Sequence, residues 1–411
     1  MVVEGKKKIL IVGAGFGGVR VALDLAREKL PGVKITLLSD KSHFEYHPAL
    51  YKVVTGRSPL ETCIPLREIF KRKKVELVED SVSRIDLAGR RVVGISGSEY
   101  PFDFLVLALG SETGYFNIPG LQELSYGFKS IEEALKLKRH LHKIFEMRKD
   151  MPTEEKVVAT HIVVVGAGAS GTELSAELAI YARTLAKQHG VHPSLVTVDL
   201  IESSPRVLPS LPEDVSARAM ARLHSLGVNI FLNRALVREE IDDVYLKDME
   251  VKTKTLIWTA GVKPNRIFGE TEEFKKDEKG RVVVNSYLEV EGFPGVFVLG
   301  DAASTPYSGM AQTALGNGSY VADAISRKIA GRKIHPYKPK KPFYAIPIGH
   351  GWGVVIMWQF HIYGRLGWYL RRLADLRFFL SILPLRGALR AYMNGYKLCE
   401  SCSICEYVED K

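Results

Sequence analysis

An apolar run, a glycine-rich turn and a segment with helical spacing follow one another at the start of the chain. The pattern predicts a strand over Lys8 to Val12, a tight turn over Gly13 to Gly18, a helix over Val19 to Lys29 and a second strand over Val33 to Leu38. Strands joined through a helix in this way are parallel neighbours in one sheet, so this region is predicted to form a βαβ unit.

The same order of elements returns roughly 150 residues later. His161 to Val165 is a predicted strand, Thr172 to about Lys187 a predicted long helix, and Val196 to Ile201 the next predicted strand. Because each unit is typical of a dinucleotide-binding sheet, the chain is assigned to the α/β class, with two Rossmann-like domains followed by a C-terminal amphipathic helical segment.

Both turns match the G-x-G-x-x-G pattern that cradles the pyrophosphate of a dinucleotide. The first glycine permits the sharp turn, the second lets the backbone approach the phosphates, and the third lets the helix pack against the strand. The N-terminal N–H groups of each helix are then free to bind the phosphates. Two such turns indicate that one chain holds a flavin dinucleotide and a nicotinamide dinucleotide; their glycines are Gly13, Gly15 and Gly18, then Gly166, Gly168 and Gly171.

An acidic residue near the end of the second strand of each unit is expected to bind a ribose hydroxyl. In the first unit Ser39 and Asp40 compete for this position, and Asp40 could equally be a solvated turn residue. In the second unit Glu202 follows the strand directly, where its charge would repel the 2′-phosphate of NADPH. Arg206 and Arg222 could still admit NADPH, but Glu202 favours NADH.

Composition and charge narrow the class of protein. The 411 residues are 46% hydrophobic and 25% charged, which is typical of a globular chain with several domains. The net charge of +10 favours an anionic partner, whether nucleic acid, a nucleotide or an acidic membrane surface, and no motif supports nucleic-acid binding. Four cysteines favour an intracellular protein; the N-terminal apolar run is too short for a secretory signal, and no transmembrane helix is predicted.

The segment from Tyr363 to Met393 combines arginines with leucines and aromatic residues at helical spacing. Pro384 should break or kink this predicted helix near its end. A cationic helix of this kind can lie in a membrane interface with its arginines at lipid phosphates, or it can pack on its own domain or in a dimer interface. Its arginines are Arg365, Arg371, Arg372, Arg377, Arg386 and Arg390, and its single acid is Asp375.

Three cysteines near the C-terminus, Cys399, Cys402 and Cys405, form a C-x-x-C-x-x-C run. The run resembles the start of a ferredoxin-type cluster motif without the fourth cysteine. Its thiolates could bind zinc or an incomplete iron–sulfur cluster, or they could be free or disulfide-linked thiols. The remaining cysteine, Cys63, is expected to be a buried apolar residue.

Four further segments carry a family resemblance. They read LALGSETGYFNIPG at Leu107 to Gly120, IWTAGVKPN at Ile257 to Asn265, VFVLGDAA at Val296 to Ala303, where a strand ends on Asp301, and MAQTALGNG at Met310 to Gly318. With the two glycine turns, and in this order, they resemble the two-dinucleotide-domain flavoprotein reductases. Among these the chain is most similar to the type II NADH dehydrogenases, the single-subunit NADH:quinone oxidoreductases.

The resemblance implies a division into three regions. Residues 1–118 and 277–335 form a discontinuous FAD domain, residues 119–276 the NADH domain, and residues 336–411 a membrane-associated or dimerisation region. The residues implied to bind FAD are Gly13, Gly15, Phe16, Gly17, Gly18, Ser39, Asp40, Ala108, Gly110, Gly300, Asp301, Ala311 and Gln312. The residues implied to bind NADH are Gly166, Gly168, Gly171, Glu173, Glu202 and Gly261.

Two of these residues, Glu173 and Gln312, are implied to be catalytic. Glu173 matches a family glutamate at the nicotinamide side of the flavin, although it could also be a first-turn acid that complements the helix dipole. Gln312 matches the first glutamine of the A-Q-x-A-x-Q motif, which contacts the quinone head group in the family, whereas Gly316 replaces the second glutamine. Asp301 resembles the acid that hydrogen-bonds the flavin ribityl chain, or else it caps the following helix.

A further segment, Tyr46 to Tyr51, matches the part of the family that passes near the flavin ring. Within it His47 replaces the family's more usual amide and is a candidate proton donor, although most such histidines are ordinary polar residues.

The implied function is FAD-dependent NADH:quinone oxidoreduction without proton pumping. NADH would give a hydride to flavin N5, and two electrons would then pass to a membrane quinone. The enzyme is expected on the cytoplasmic side of the cell membrane, as a peripheral protein of the respiratory chain on an anionic surface, with a homodimer as a further expectation.

Missing cysteines separate this function from related chemistries. Residues 40–62 contain no cysteine, which excludes the flavoprotein disulfide reductases. Sulfide:quinone oxidoreductases need cysteines beside the flavin, and none lies between Cys63 and Cys399, yet they stay an alternative because Ser39 and Asp40 resemble that family. A soluble NAD(P)H-dependent flavoprotein reductase with a different acceptor is the other alternative.

Overall fold

The computed structural model describes residues 6–147, 152–395 and 397. Within these residues the α-helices are α1 Phe16–Glu28, α2 Leu50–Val54, α3 Leu66–Ile69, α4 Leu121–Leu124, α5 Ile131–Met147, α6 Thr153–Thr160, α7 Ala169–Gln188, α8 Glu213–Ser225, α9 Arg266–Glu270, α10 Ala311–Ile329, α11 Gly364–Ile382 and α12 Leu385–Asn394.

The β-strands of the same residues are β1 Lys7–Val12, β2 Val33–Ser39, β3 His43–Glu45, β4 Cys63–Pro65, β5 Glu76–Glu79, β6 Val82–Asp86, β7 Arg91–Gly94, β8 Glu99–Pro101, β9 Phe104–Leu107, β10 Ser111–Thr113, β11 Tyr126–Gly127, β12 His161–Val165, β13 Thr197–Ile201, β14 Val228–Phe231, β15 Leu236–Glu240, β16 Asp243–Leu246, β17 Met249–Lys252, β18 Thr255–Trp258, β19 Val262–Pro264, β20 Val296–Val298, β21 Tyr344–Pro347, β22 Gly353–Met357 and β23 Phe360–Tyr363.

The first sheet contains five strands in the order β20-β9-β1-β2-β5, and all its pairs are parallel. Its central strand β1 is buried from Ile9 onward, and Ile9 and Ile11 face a core that α1 and α10 cover. Those two helices approach closely: a Cβ added at Gly318 would lie 2.7 Å from the carbonyl oxygen of Gly17. Strands that run in parallel end at one edge of the sheet, which is where ligands bind in this type of fold.

The second sheet repeats the arrangement with the order β11-β18-β12-β13-β14, again with parallel pairs throughout. Strand β12 occupies the central place that β1 has in the first sheet, and α7 follows it as α1 follows β1. The predicted α/β class with two Rossmann-like sheets is therefore confirmed. The predicted domain boundaries, 1–118 with 277–335, 119–276 and 336–411, stay predictions.

The two sheets are joined by paired extended segments and by a shared core. Strands β10 and β19, which leave and re-enter the first sheet, pair antiparallel with each other. Helix α2 lies between the first-sheet strands β2 and β5 in the chain, but it packs against α5 and α7 of the second sheet. Its residues Leu50, Tyr51, Val53 and Val54 are buried in the core of the second sheet. The segment around α2 thus lies between the two dinucleotide folds.

The C-terminal region is an antiparallel sheet of β21, β22 and β23 followed by two helices. Helix α11 ends at Ile382 and α12 begins at Leu385, with Pro384 between them, so the predicted break at this proline is confirmed. None of the helices in the described residues is long and apolar enough to cross a bilayer.

Most predicted elements lie within a few residues of the observed ones. The predicted strand over Val296 to Asp301 is wrong at its end, because β20 stops at Val298 and residues 300–302 form a 3-10 turn. A positive φ of 71° at Gly300 turns the chain there, which a regular strand cannot follow.

Candidate active site

The first glycine turn has the tight geometry that its sequence predicts. Gly13 has φ +98°, and a Cβ there would lie 2.5 Å from the carbonyl oxygen of Ala108. A Cβ at Gly18 would clash with the carbonyl oxygen of Gly13, so the third glycine allows α1 to cross β1 closely. Gly17 packs against the side chain of Leu299 on the neighbouring strand end.

The second turn has the same construction. Gly166 has φ +103°, and a Cβ there would meet Ala260, while a Cβ at Gly171 would clash with the carbonyl oxygen of Gly166. Gly261 lies next to this turn, where a Cβ would collide with the ring of Phe116. These positions admit only glycine because of the protein around them.

Both turns leave room for a dinucleotide. A Cβ at Gly15 would have nothing closer than 4.0 Å, and one at Gly168 or Gly110 would have nothing within that distance. Gly15 and Gly168 are the N-cap residues of α1 and α7, and neither helix has a side-chain cap or an acid in its first turn. Their first N–H groups and positive dipole ends are therefore directed at open space, as a pyrophosphate requires.

The strand registers show which residue follows each glycine turn in space. Gly13 N–H donates to the carbonyl of Leu38 at 2.8 Å, and Gly166 N–H donates to the carbonyl of Ile201 at 2.7 Å. The next residues, Ser39 and Glu202, therefore occupy equivalent positions, and both are buried. Asp40 lies one residue further on and is exposed. Between the two competing candidates of the first unit, Ser39 has the strand-end position.

Glu202 is held by the backbone of its own turn. Its Oε2 accepts from the N–H of Ala167 at 2.7 Å, and its Oε1 accepts from the N–H of Ser204 at 2.8 Å. The nearby Arg206 donates to the carbonyls of Leu211 and Pro209. Its guanidinium is thus engaged with the backbone, and Glu202 is the charged group fixed beside the glycine turn.

Arg222, the second arginine that could admit NADPH, is also engaged. Its Nε donates to the carbonyl of Ile348 at 3.2 Å, which ties α8 to the loop before β22.

Asp301 lies at the end of the first sheet with two donors that the sequence pattern does not reveal. Its Oδ2 accepts from the Ser111 hydroxyl at 2.6 Å and lies 3.4 Å from Lys129 Nζ. Burial opposes ionisation of Asp301, but the positive charge of Lys129 and the Ser111 hydrogen bond outweigh it and lower the pKa. The nearby His47 makes a smaller electrostatic contribution that also lowers the pKa of Asp301. The alternative role, capping the next helix, is not observed, because α10 begins at Ala311.

Glu173 lies on α7, which packs against α2, and its charge acts on Tyr51 of α2 and on Arg371 of α11. Desolvation raises the pKa of Glu173 to about 8, and the Arg371 guanidinium opposes part of this shift. Because α7 begins at Ala169, Glu173 is beyond the first turn, so the alternative role of a first-turn acid does not apply. At neutral pH this carboxyl group is mainly protonated.

Gln312 is exposed in the first turn of α10, but its amide already has partners. Nε2 donates to the carbonyl of Phe343 at 2.8 Å, and Oε1 accepts from the N–H of Phe343 at 3.0 Å. One N–H and one lone pair remain for another ligand. Helix α10 has no side-chain cap and no acid in its first turn, so its positive end is uncompensated.

The segment from Tyr46 to Tyr51 connects the two glycine turns. The ring of His47 lies 6.2 Å from that of Phe16 within the first turn, and Tyr51 is on α2, which packs against the α7 helix that follows the second turn. His47 Nε2 is also 3.3 Å from Glu45 Oε2. Three further residues belong to this region, and no sequence motif assigned them to the site: Ser111, Lys129 and Arg371.

The predicted metal ligands Cys399, Cys402 and Cys405 lie outside the described residues. Among the residues that are described, no cluster of histidine, cysteine and acidic side chains is arranged to hold a metal ion. Cys63 is half-buried rather than fully buried, because it lies on β4 at the edge of a two-stranded ribbon.

Comparisons with known proteins agree with this architecture. Residues 7–318 match the pyridine nucleotide-disulphide oxidoreductase family. The type II NADH:quinone oxidoreductase of Mycobacterium tuberculosis is 33% identical over 79% of this chain and 73% of its own length. The type II NADH:quinone oxidoreductase of Staphylococcus haemolyticus is 28% identical over 95% of this chain and 99% of its own length.

Among solved structures, NDH2 of Plasmodium falciparum in complex with NADH superposes with a TM-score of 0.86 at 18% identity, over 95% of this chain and 97% of that one. This likeness concerns the fold. The sequence matches go further: the chain belongs to the type II NADH:quinone oxidoreductase family of pyridine nucleotide-disulphide oxidoreductases.

Proposed function

We propose that the chain holds FAD on its first glycine turn, binds NADH on its second, and passes the electrons of NADH to a membrane quinone. The observation that carries this proposal is the segment from Tyr46 to Tyr51, because its His47 lies beside Phe16 of the first turn and its last residues begin α2, which packs against the α7 helix of the second turn. Two dinucleotides bound at these turns would extend their reactive rings toward this segment, where a hydride could pass directly from one ring to the other. When bound, the flavin supplies the two-electron chemistry.

The residues present suit these two ligands. The open space before Gly15 and Gly110 would take the FAD phosphates, Ser39 its ribose, and Asp301 its ribityl hydroxyls. Gly168 and the first N–H groups of α7 would take the NADH phosphates, with Glu202 at the ribose. The carboxylate of Glu202 favours NADH over NADPH by repulsion of a 2′-phosphate.

Glu173 is proposed to hold a proton during the reaction. Its raised pKa, about 8, keeps the carboxyl group protonated at neutral pH and still able to release the proton. The nearby carboxyl groups of Asp375 and Glu177 also favour its protonated form, while the positive charge of Arg371 opposes them. No side chain needs to act as a nucleophile in this scheme.

The test of the proposal is a separation of the two half-reactions. The purified protein should be yellow, and NADH added without oxygen should bleach the flavin absorbance. A quinone added next should restore the colour. A colourless protein, or one that NADH does not bleach, would contradict the proposal, and an acceptor screen after bleaching would identify a soluble acceptor if quinones fail.

Gln312 is proposed to contact the quinone with its remaining N–H and lone pair. Gln312→Ala should slow recolouring by quinone roughly tenfold, because the quinone would lose about one neutral hydrogen bond. Bleaching by NADH should be unchanged. Gln122→Ala in the short helix α4 is the control for an amide away from this site. Equal losses in both half-reactions would exclude the assigned role.

The C-terminal helices are proposed to lie on an anionic membrane surface. Helix α11 buries Arg371, Arg372 and Asp375 together with Phe379 and Ile382, while Leu366, Leu373 and Leu380 face outward. An ordinary surface helix exposes its charged residues and buries its leucines. Leucines that line one face of a helix are stable in an exposed position only when another apolar surface, such as a membrane or a protein partner, covers them. The outward apolar residues, 44 to 63% exposed, are Leu366, Tyr369, Leu373, Leu380, Leu385, Leu389 and Met393.

Exposed arginines beside these leucines favour a membrane over a second copy of the chain. Arg365, Arg377, Arg386 and Arg390 would oppose each other across a symmetric dimer, whereas lipid phosphates would pair with them. The protein is expected at the cytoplasmic face, where anionic lipids attract such segments.

Vesicle flotation tests this orientation. The protein should float with vesicles rich in phosphatidylglycerol and less with phosphatidylcholine alone, and 0.5 M salt should weaken the first interaction, since roughly 1 kcal/mol per arginine is electrostatic. Leu385→Glu with Leu389→Glu should abolish flotation. Unchanged flotation, or a dimer in solution that the same substitutions dissociate, would favour the dimer interface instead.

A further inference from the structure

Two consecutive arginines on the buried face of α11 join the C-terminal helices to the segment Tyr46–Glu61. The side chains of Arg371 and Arg372 are only 8% and 5% exposed, which is rare for arginine unless its charge is paired. Asp375, one turn further along α11, pairs with both guanidinium groups and is itself 3% exposed. These three residues form the ion cluster of α11.

The contacts that leave this cluster bracket His47. Arg371 Nη2 donates to the carbonyl oxygen of Pro48 at 2.9 Å. The Tyr46 hydroxyl donates to Asp375 Oδ1 at 2.5 Å, and the Tyr46 ring stacks on Phe378 with centroids 4.9 Å apart. The residues before and after His47 are therefore both fixed by α11.

The far end of the same segment is fixed by the other arginine. Arg372 donates to Glu61 Oε1 at 2.7 Å and to the carbonyl of Tyr392 on α12 at 3.1 Å. Lys52 donates to the second oxygen of Glu61 at 2.6 Å. The segment that lies between the two glycine turns is thus anchored at both ends to the helices that we propose to lie on the membrane.

We propose that Arg371 is a positioning residue of the quinone half-reaction, because its contacts with Pro48 and, through Asp375, with Tyr46 set the place of His47 beside Asp301 and the first glycine turn. This inference rests on the proposed function. Quinone would approach along α11, whereas NADH would approach through the second turn, so the two half-reactions depend on Arg371 to different degrees.

Lysine is the informative replacement for Arg371. An ammonium keeps the positive charge that Asp375 needs, but it lacks the planar fork that reaches the carboxylate and the Pro48 carbonyl together. Removing the charge altogether would leave the buried carboxylate of Asp375 with Arg372 as its remaining cationic partner and endanger folding. Arg371→Lys therefore alters the position of the Tyr46–Pro48 backbone while the ion pair survives.

The experiment compares the flavin-loaded Arg371→Lys enzyme with wild type and with Arg327→Lys. Arg327 forms an ion pair with Asp323 one turn away on α10, but its side chain is 37% exposed, so it is a matched surface control. Bleaching by NADH, recolouring by a water-soluble quinone and the visible flavin spectrum are recorded. In Arg371→Lys the spectrum should shift and recolouring should slow about tenfold, whereas bleaching should slow clearly less, because the ammonium keeps the positive charge that acts on Glu173. Arg327→Lys should match wild type in all three.

The outcomes separate this inference from the proposed function. An Arg371→Lys enzyme with wild-type spectrum and wild-type recolouring overturns the inference. If Arg371→Lys does not retain flavin, Tyr46→Phe removes only the hydroxyl on Asp375: recolouring slowed about threefold supports the inference, and unchanged recolouring overturns it. A wild-type enzyme that quinone does not recolour would contradict the proposed acceptor, while a shifted spectrum in Arg371→Lys alone would still support the positioning of the segment.

Discussion

The two glycine turns share a backbone but present different chemistry to a ribose. Gly13 and Gly166 have φ values of 98° and 103°, and the strand registers make Ser39 and Glu202 equivalent. Ser39 offers a hydroxyl whose oxygen accepts from the N–H of Lys41 at 3.2 Å. Glu202 offers a carboxylate that the backbone of its own turn already orients.

This difference corresponds to the different demands on a resident cofactor and on a substrate that exchanges. A resident dinucleotide has many contacts along its whole length, so one neutral hydrogen bond at the ribose is enough. A diffusing nicotinamide dinucleotide must be distinguished from its 2′-phosphorylated form, and a fixed negative charge does this by repulsion. We therefore expect equivalent substitutions in the two turns to have unequal consequences.

Matched substitutions of the third glycines should have the largest effect. A Cβ at Gly18 or Gly171 would clash with the carbonyl oxygen of the first glycine of the same turn. Gly18→Ala should yield a protein without flavin and without activity. Gly171→Ala should stay yellow and bleach with NADH roughly a hundredfold more slowly, while quinone should recolour the dithionite-reduced enzyme at the normal rate.

Gly269→Ala is the control for these substitutions, because a Cβ there meets nothing within 4 Å. It should leave both half-reactions unchanged. If the Gly18 and Gly171 variants lost flavin equally, or both kept it, the assignment of one dinucleotide to each turn would be wrong.

Replacing the acid of the second turn should have the next largest effect. Glu202→Arg removes the repulsion of a 2′-phosphate and the acceptor for Ala167 N–H, so the ratio of kcat/KM for NADPH to that for NADH should rise at least about tenfold. Ser39→Arg, at the equivalent position of the first turn, should not change this ratio. Steady-state kinetics with both nucleotides decide the matter, and an unchanged ratio in Glu202→Arg would exclude Glu202 as the ribose ligand.

The acid beside the second turn should reveal itself through pH. The pKa of Glu173 in the folded protein, about 8, lies above its ordinary value. The stabilising contribution of the protonated group is therefore complete below the ordinary pKa and is lost as the pH rises through 8. Glu173→Gln should therefore be more stable than wild type above pH 8 by roughly 2 °C in Tm. Its pH–rate profile should lack the inflection near 8 that wild type shows.

Glu239 is a matched control for this titration. Burial raises the pKa of Glu239 to about 8 as well, but it lines a separate surface cleft with Gly120 and Ile241. Glu239→Gln should change the pH dependence of Tm in the same direction and leave the pH–rate profile intact. A profile altered equally by both variants would show that stability, not proton transfer at Glu173, sets the rate.

The glycine turns and their strands could be predicted because each depends on neighbours close in sequence. Strand, turn and helix are adjacent there, and steric limits on φ leave few residues other than glycine at Gly13 and Gly166. The choice between Ser39 and Asp40 required the register of β1 and β2, which no local pattern specifies. One residue of slip moves a side chain to the other face of a strand.

Partners distant in sequence could not be predicted at all. Ser111 lies 190 positions from Asp301, and Phe343 lies 31 positions from Gln312 in a loop without a motif. The spacing of α11 predicts a helix with a leucine face and an arginine face, but the usual rule buries the leucines. The structure buries Arg371 instead, because Asp375 and the segment around Pro48 supply its acceptors.

The smallest predicted effect tests the first turn at a single atom. Ser39→Ala removes one neutral hydrogen-bonding hydroxyl, which contributes about 0.5–1.5 kcal/mol, so the Kd for FAD should rise less than about tenfold. Asp40→Asn, at the exposed neighbouring position, should change it less than about twofold, because a solvated side chain makes no fixed contact. Fluorescence titration of the flavin-free protein with FAD measures both values. If Asp40→Asn weakened FAD more than Ser39→Ala did, the ribose would be bound by the acid, and the two turns would be chemically alike.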